Sequence, residues 1–119
     1  MKIGFGCDHA AIDLKNELIE YMTEKGYECV DYGTGYDENG EIIKCDYPNK
    51  GREVGEAVVR KDVDYGVLMC GTGIGISVAA NKVPGVIAAV CSEPYSAKLI
   101  KQEITMALML LLLVQELLE

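Results

Sequence analysis

Three things that the 119-residue chain lacks narrow its role before any motif is read. It has no basic stripe: acidic residues outnumber basic ones 19 to 11 and the formal charge is −8, which excludes general nucleic-acid binding. It has no C-x-x-C pair, and its cysteines are odd in number (Cys7, Cys29, Cys45, Cys70 and Cys91), so neither a disulfide framework nor a zinc knuckle is indicated. It has no apolar run of bilayer length: the longest, Met106 to Val114, falls well short of the ~20 residues a spanning helix needs. Met1 leads directly into Lys2-Ile3-Gly4-Phe5-Gly6 with no secretory signal, so a reducing cytoplasm is the expected compartment. Internal repeats and low-complexity linkers are also missing, and the length suits one domain over residues 1–119 around one core.

What remains is a short-period alternation of strand and helix patterns, the signature of βαβ units around a mostly parallel sheet. Residues 2–6 read as an apolar strand, and residues 11–25 place Ala11, Leu14, Leu18, Tyr21 and Met22 on one helix face, stopped by Gly26. Residues 27–31 read as a second strand, with Cys29 in it as a small hydrophobe. Residues 32–47 are rich in Gly, Asp and Asn and form a long loop of the kind that tends to be functional. Pro48 opens a helix running to about Lys61, in which Gly51 and Gly55 weaken the helix and point to close packing on another element. Strands follow at Asp64–Met69 and Val86–Cys91, with a short helix over Ser77–Lys82 between them and another starting at Ser92 and Pro94. The segment 97–119 has no Gly or Pro and is rich in Leu. It is expected to be one long helix, buried against a partner subunit because Leu108 to Leu113 is apolar all round.

The strongest local feature is Cys70-Gly71-Thr72-Gly73-Ile74-Gly75, after the third strand. Glycine at every second position leaves the backbone unscreened, so its N–H groups can converge on an anion at a helix start. A thiol beside such a nest gains thiolate character, giving a proton-abstracting or nucleophilic cysteine next to an oxyanion hole. The plainer alternative is a tight turn with a buried cysteine. A dinucleotide fingerprint G-x-G-x-x-G is not formed, because Ile76 and His9 stand where its third glycine would fall. The Walker A pattern is absent too.

Two further groups stand near strand ends or helix starts. Asp8 and His9 follow Gly6-Cys7, where open parallel sheets bind ligands, and can orient a sugar hydroxyl and a phosphate. Alternatively, Asp8 decorates a helix start and His9 is a solvated surface residue. Tyr47, in Asp46-Tyr47-Pro48, either projects into the same cleft or packs as a staple at a helix start.

Taken in order, Gly6-Cys7-Asp8-His9, Asp31-Tyr32-Gly33-Thr34, Asp46-Tyr47-Pro48, Cys70-Gly71-Thr72-Gly73-Ile74-Gly75 and Ala79-Ala80-Asn81-Lys82 resemble the ribose-5-phosphate isomerase B family, which includes the galactose-6-phosphate isomerase subunits. The match runs from Met1 to about Lys101. The resemblance implies a Rossmann-like three-layer α/β/α fold and a homodimer or dimer of dimers with sites at the subunit interface. It implies a small sugar phosphate as substrate, with no metal and no organic cofactor. By position, Cys70 corresponds to the base that moves a proton between C1 and C2. Thr72 assists, and the backbone of Gly71, Gly73, Ile74 and Gly75 stabilises the enediolate. Asp8 and Tyr47 match substrate-contacting positions and His9 a phosphate-binding one.

The resemblance also has departures. Ala10-Ala11 replaces a pair that usually includes Gly, and Asn49 replaces Asp. After Lys101-Gln102-Glu103-Ile104-Thr105 no histidine or arginine follows, and Arg52 and Arg60 are the only arginines. The family's ring-opening His-Asn pair and phosphate-clamping arginines therefore have no counterpart. Two readings stay open: a working aldose–ketose isomerase, ribose 5-phosphate to ribulose 5-phosphate first, or a catalytically impaired sugar-phosphate-binding or oligomerising subunit.

Overall fold

A computed structural model describes residues 1–91 and the strand 108–113. The elements run β1 (Lys2–Cys7), α1 (Ile12–Glu24), β2 (Glu28–Asp31), α2 (Tyr47–Val59), β3 (Tyr65–Cys70), α3 (Ile74–Asn81), β4 (Ile87–Cys91) and β5 (Leu108–Leu113). The strands form one sheet in the order β2-β1-β3-β5-β4, and every adjacent pair is parallel. This is the expected α/β architecture. On one face α1 packs over Ile3, Phe5, Cys7 and Met69; on the other, α2 and α3 pack over Leu68 and Cys70. Successive residues of β3 thus feed opposite cores, as a strand's period of two requires. Among the described residues no helix is long and apolar enough to cross a membrane.

The local chemistry of the chain accounts for most of the boundaries. Gly26 has φ +94°, and its amide reaches Thr23 while that of Tyr27 reaches Met22, the paired bonds of a left-handed helix stop. Pro48 sits in the first turn of α2, where its missing N–H loses nothing. Gly51 allows α2 to lie directly on α3: a Cβ there would be 2.8 Å from Ala79 Cβ and 2.9 Å from the Ile76 carbonyl. Asn81, at the end of α3, grips β4 by donating to the Ala88 carbonyl (2.9 Å) and accepting from its amide (2.8 Å).

The structure corrects three expectations. Residues 108–113 are a strand, not part of a helix: β5 lies between β3 and β4, with Leu111 paired to Leu68 and to Val90. A central parallel strand is flanked on both faces and reads as an unbroken apolar run, which periodicity cannot tell from a buried helix. The remainder of 97–119, its expected subunit contact and the helix start at Ser92 and Pro94 lie outside the described residues. Helix α3 begins at Ile74 rather than Ser77, so two residues of the glycine-rich segment are helical. Tyr21 is 54% exposed, and the inner face of α1 instead buries Lys15.

Candidate active site

The C-terminal ends of β1 and β3 lie side by side, with Cys7 paired to Met69, so Asp8 and Cys70 follow as neighbours at the sheet edge. The Asp8 amide donates to the Met69 carbonyl at 3.2 Å, extending that pairing one residue past β1. Asp8 is nearly buried; its Oδ1 accepts the Ala10 amide at 2.9 Å and fixes the turn into α1. His9 is exposed at this turn.

Cys70 is buried, and its Sγ accepts the Gly73 amide at 3.0 Å. Gly73 is the cap of α3 with φ +77°, a conformation that favours glycine and turns the chain back over the sulfur. Thr72 Oγ1 accepts the Ile74 amide at 3.2 Å and keeps its own proton to donate. A helix leaves its first amides without internal partners. Two of these, on Gly73 and Ile74, are engaged by Cys70 and Thr72, while those of Gly75 and Ile76 open the first turn.

Tyr47 is the first residue of α2, and its ring lies on Gly75: a Cβ at Gly75 would stand 2.8 Å from two ring carbons. The ring is 44% exposed, so this is a half-covered contact at the mouth of the loop. A groove of about 500 Å³ continues from Tyr47 and Gly75 between α2 and α3, past Arg52, Val78 and Lys82. It does not include Cys70, Asp8 or His9, which stand at the sheet edge. Gly75→Ala should therefore leave the fold intact, because an exposed ring end can swing aside, yet displace Tyr47 from the loop. With the sugar phosphate that the resemblance implies as substrate, the expected result is a KM raised roughly tenfold with an unchanged melting temperature, checked by steady-state kinetics beside thermal unfolding.

The long loop is held by its own bonds. Thr34 Oγ1 donates to the Ile43 carbonyl at 2.6 Å, and Tyr36 Oη donates to Asp13 Oδ1 at 2.7 Å, which raises the tyrosine's pKa. Lys50 Nζ ties α2 to the loop by donating to the Tyr32 carbonyl at 2.6 Å, and it pairs with Glu53 at 2.9 Å.

Two cysteines stand at adjacent strand ends but on opposite faces. Cys7 is fully buried, donates to the Thr34 carbonyl at 3.7 Å, and burial pushes its thiol from 9.0 up to about 11. It stays a neutral thiol at physiological pH and is unsuited to be a base there. Because its folded pKa is raised, the stability linked to it is complete below pH 9 and is lost as pH rises towards 11. Urea unfolding at several pH values should show the wild type losing stability more steeply over that window than Cys7→Ala; equal slopes would contradict the assignment.

Sequence reasoning marked Asp8, His9, Tyr47 and the 70–75 loop, and the structure brings all but His9 into defined contacts. It missed Lys15, which is 1% exposed and gives its Nζ to both oxygens of Asp31 at 2.8 and 2.7 Å. The only available signal was its position among apolar residues on the inner face of α1.

Residues 3–112 match the family model described as Ribose/Galactose Isomerase. Ribose-5-phosphate isomerase B of Escherichia coli K12 is 50% identical over 101 residues, covering 85% of this chain and 64% of that protein. The galactose-6-phosphate isomerase subunit LacB of Clostridium acetobutylicum is 40% identical over 102 residues, covering 86% of this chain and 56% of the subunit. The chain thus spans less than two thirds of the length of these relatives. Among solved structures, a ribose 5-phosphate isomerase of Thermotoga maritima superposes with a TM-score of 0.84 at 38% identity, covering 96% of this chain and 74% of that one.

Proposed function

The chain belongs to the ribose/galactose isomerase family, and from that membership we propose that it interconverts an aldose phosphate and a ketose phosphate, ribose 5-phosphate and ribulose 5-phosphate being the first pair to test. The observation that carries the reading is the Cys70 sulfur, held by the Gly73 amide beside Asp8 from the neighbouring strand. In this reading Cys70 takes the proton from C2 of the open-chain aldose. The C–H electron pair becomes the C1–C2 double bond of an enediolate, and the former carbonyl oxygen takes the negative charge. Return of the proton to C1, with the C2 hydroxyl proton passing to the oxygen on C1, leaves a hydroxyl at C1 and a carbonyl at C2. A proton next to a carbonyl is only weakly acidic, so donors must meet the charge where it develops; one such donor is typically worth ~3 kcal/mol of barrier. The Gly75 and Ile76 amides and the Thr72 hydroxyl are assigned this task. Asp8 and Tyr47 hold sugar hydroxyls, and the exposed His9 meets the phosphate.

Exposed Ile74 and Val78, on the outer side of α3 beside Tyr47, support a homodimer or dimer of dimers that covers this face. An odd number of cysteines without a C-x-x-C pair supports a reducing cytoplasm. A second reading, a sugar-phosphate-binding subunit without turnover, is favoured by the sequence having no histidine besides His9 and no arginine besides Arg52 and Arg60. The two separate in a spectroscopic assay of ribulose 5-phosphate formation run beside calorimetric titration with ribose 5-phosphate. Turnover supports the isomerase, binding without turnover the second reading, and neither overturns both. Galactose 6-phosphate as a parallel substrate tests the other sugar class in the family name.

A further inference from the structure

Lys15 is the most deeply buried charged side chain in the described core. It occupies an inner-face position of α1 where an apolar residue of similar volume would pack with no charge to desolvate. Its partner is placed differently: Asp31, at the end of β2, has a 46% exposed side chain. The ammonium is withdrawn from water while the carboxylate keeps much of its hydration. Such a pair is weak support for stability alone, but it fixes the direction of the groups it bonds.

Those groups lead to the candidate site. Asp31 Oδ1 takes the Gly33 amide at 2.8 Å as well as the Lys15 ammonium. The Gly33 carbonyl takes the Cys7 amide at 2.8 Å, and the Cys7 carbonyl takes the Thr34 amide at 3.1 Å. The next residue is Asp8, whose own amide is held by Met69 on the other side. The lysine charge also opposes the effect of burial on the Cys7 thiol, which places it close beside this strand end. A chain of charge-assisted and backbone bonds therefore runs from Lys15 through Asp31 and Gly33 to the peptide that carries Asp8.

We propose that Lys15 and Asp31 are a positioning pair that sets Asp8 for the sugar, acting through Gly33 and Cys7 and touching no substrate themselves. The proposal rests on the reading of Asp8 as a sugar-binding residue.

The test is a double-mutant cycle on the full chain with Lys15→Met, Asp8→Asn and the double variant, read as the dissociation constant for ribose 5-phosphate by calorimetry. Lys15→Met alone is expected to weaken binding roughly tenfold, a size ordinary for residues within one hydrogen-bond network, and to add nothing once Asp8 is Asn. Losses that multiply would mean that Lys15 acts on folding in general and would overturn the proposal. Amide hydrogen exchange supplies a readout without ligand. Cys7, Gly33 and Thr34 should exchange faster in Lys15→Met while Leu68 to Cys70 keep wild-type rates; unchanged exchange at the first three overturns it. Lys15→Gln, which keeps a donor for Asp31, replaces Lys15→Met if the latter does not fold. If the wild type neither binds nor converts ribose 5-phosphate, the sugar-site reading falls. The exchange pattern still decides whether the pair holds the strand end.

Discussion

Replacing Cys70 by alanine is expected to lower kcat for ribose 5-phosphate by about 10²- to 10⁴-fold, the usual contribution of a positioned acid–base group. The fold should survive. Cys70 is 4% exposed, and removing one sulfur from that position leaves a void costing on the order of 1 kcal/mol, well below the stability of a typical domain. The side-chain acceptor for the Gly73 amide is lost in Cys70→Ala and kept in Cys70→Ser. The serine variant should therefore match the wild type in thermal unfolding yet remain inactive, since a serine hydroxyl is a much poorer proton acceptor than a cysteine sulfur. Kinetics on both variants beside circular dichroism checks this. Cys7→Ala, run as a control, should retain turnover; a loss equal to that of Cys70→Ala would move the chemistry to the other face of the sheet.

The second large effect is on stability. Gly51→Ala is expected to destabilise the fold by about 1–3 kcal/mol, the range for forcing atoms into a packed contact. Two opposed terms decide the sign. Alanine improves helix propensity by roughly 1 kcal/mol over glycine in the interior of a helix. Against this, the new methyl would meet the Ile76 carbonyl at 2.9 Å and Ala79 Cβ at 2.8 Å, neither of which belongs to a side chain that can swing away. At Gly55 the nearest atom is Val83 Cγ2 at 3.1 Å, a contact a small shift can relieve, so Gly55→Ala should come out near neutral. Denaturant unfolding of the two variants side by side separates packing from propensity: equal midpoints would deny that Gly51 sets the distance between α2 and α3. Because Tyr47 opens α2 and rests on Gly75 in α3, Gly51→Ala should also weaken sugar-phosphate binding.

The alternation of patterns was enough to read four of the five described strands and the three described helices between them. Strand ends beginning at Gly6 and Cys70, and a helix start at Pro48, point to the candidate site because parallel strands present ligands at their carboxyl ends. The glycines at 51 and 55 pointed to close packing on another element; at Gly51 that element is α3, where a Cβ would meet Ala79 and Ile76, and at Gly55 it is Val83 just beyond α3. Other features were not readable. Leu108 to Leu113 has no polar–apolar alternation to mark it as a strand, and high leucine propensity pulled the reading towards helix. The start of α3 was placed too late because Ile74-Gly75 looks like loop until the backbone of Gly73 is known. Lys15 was hidden for a different reason. A lysine on a helix is normally solvated, and only its partner on β2, sixteen residues away, allows the ammonium to be buried.

The most direct measurement is proton NMR of ribose 5-phosphate incubated in deuterium oxide with the full chain at high concentration. Proton transfer between C2 and C1 through Cys70 should bring up ribulose 5-phosphate signals and make the aldose C2 proton signal decay, with neither change in the Cys70→Ala sample. An aldose spectrum that stays unchanged with the wild-type chain, or one that changes equally with Cys70→Ala, would contradict a proton-transfer centre at Cys70.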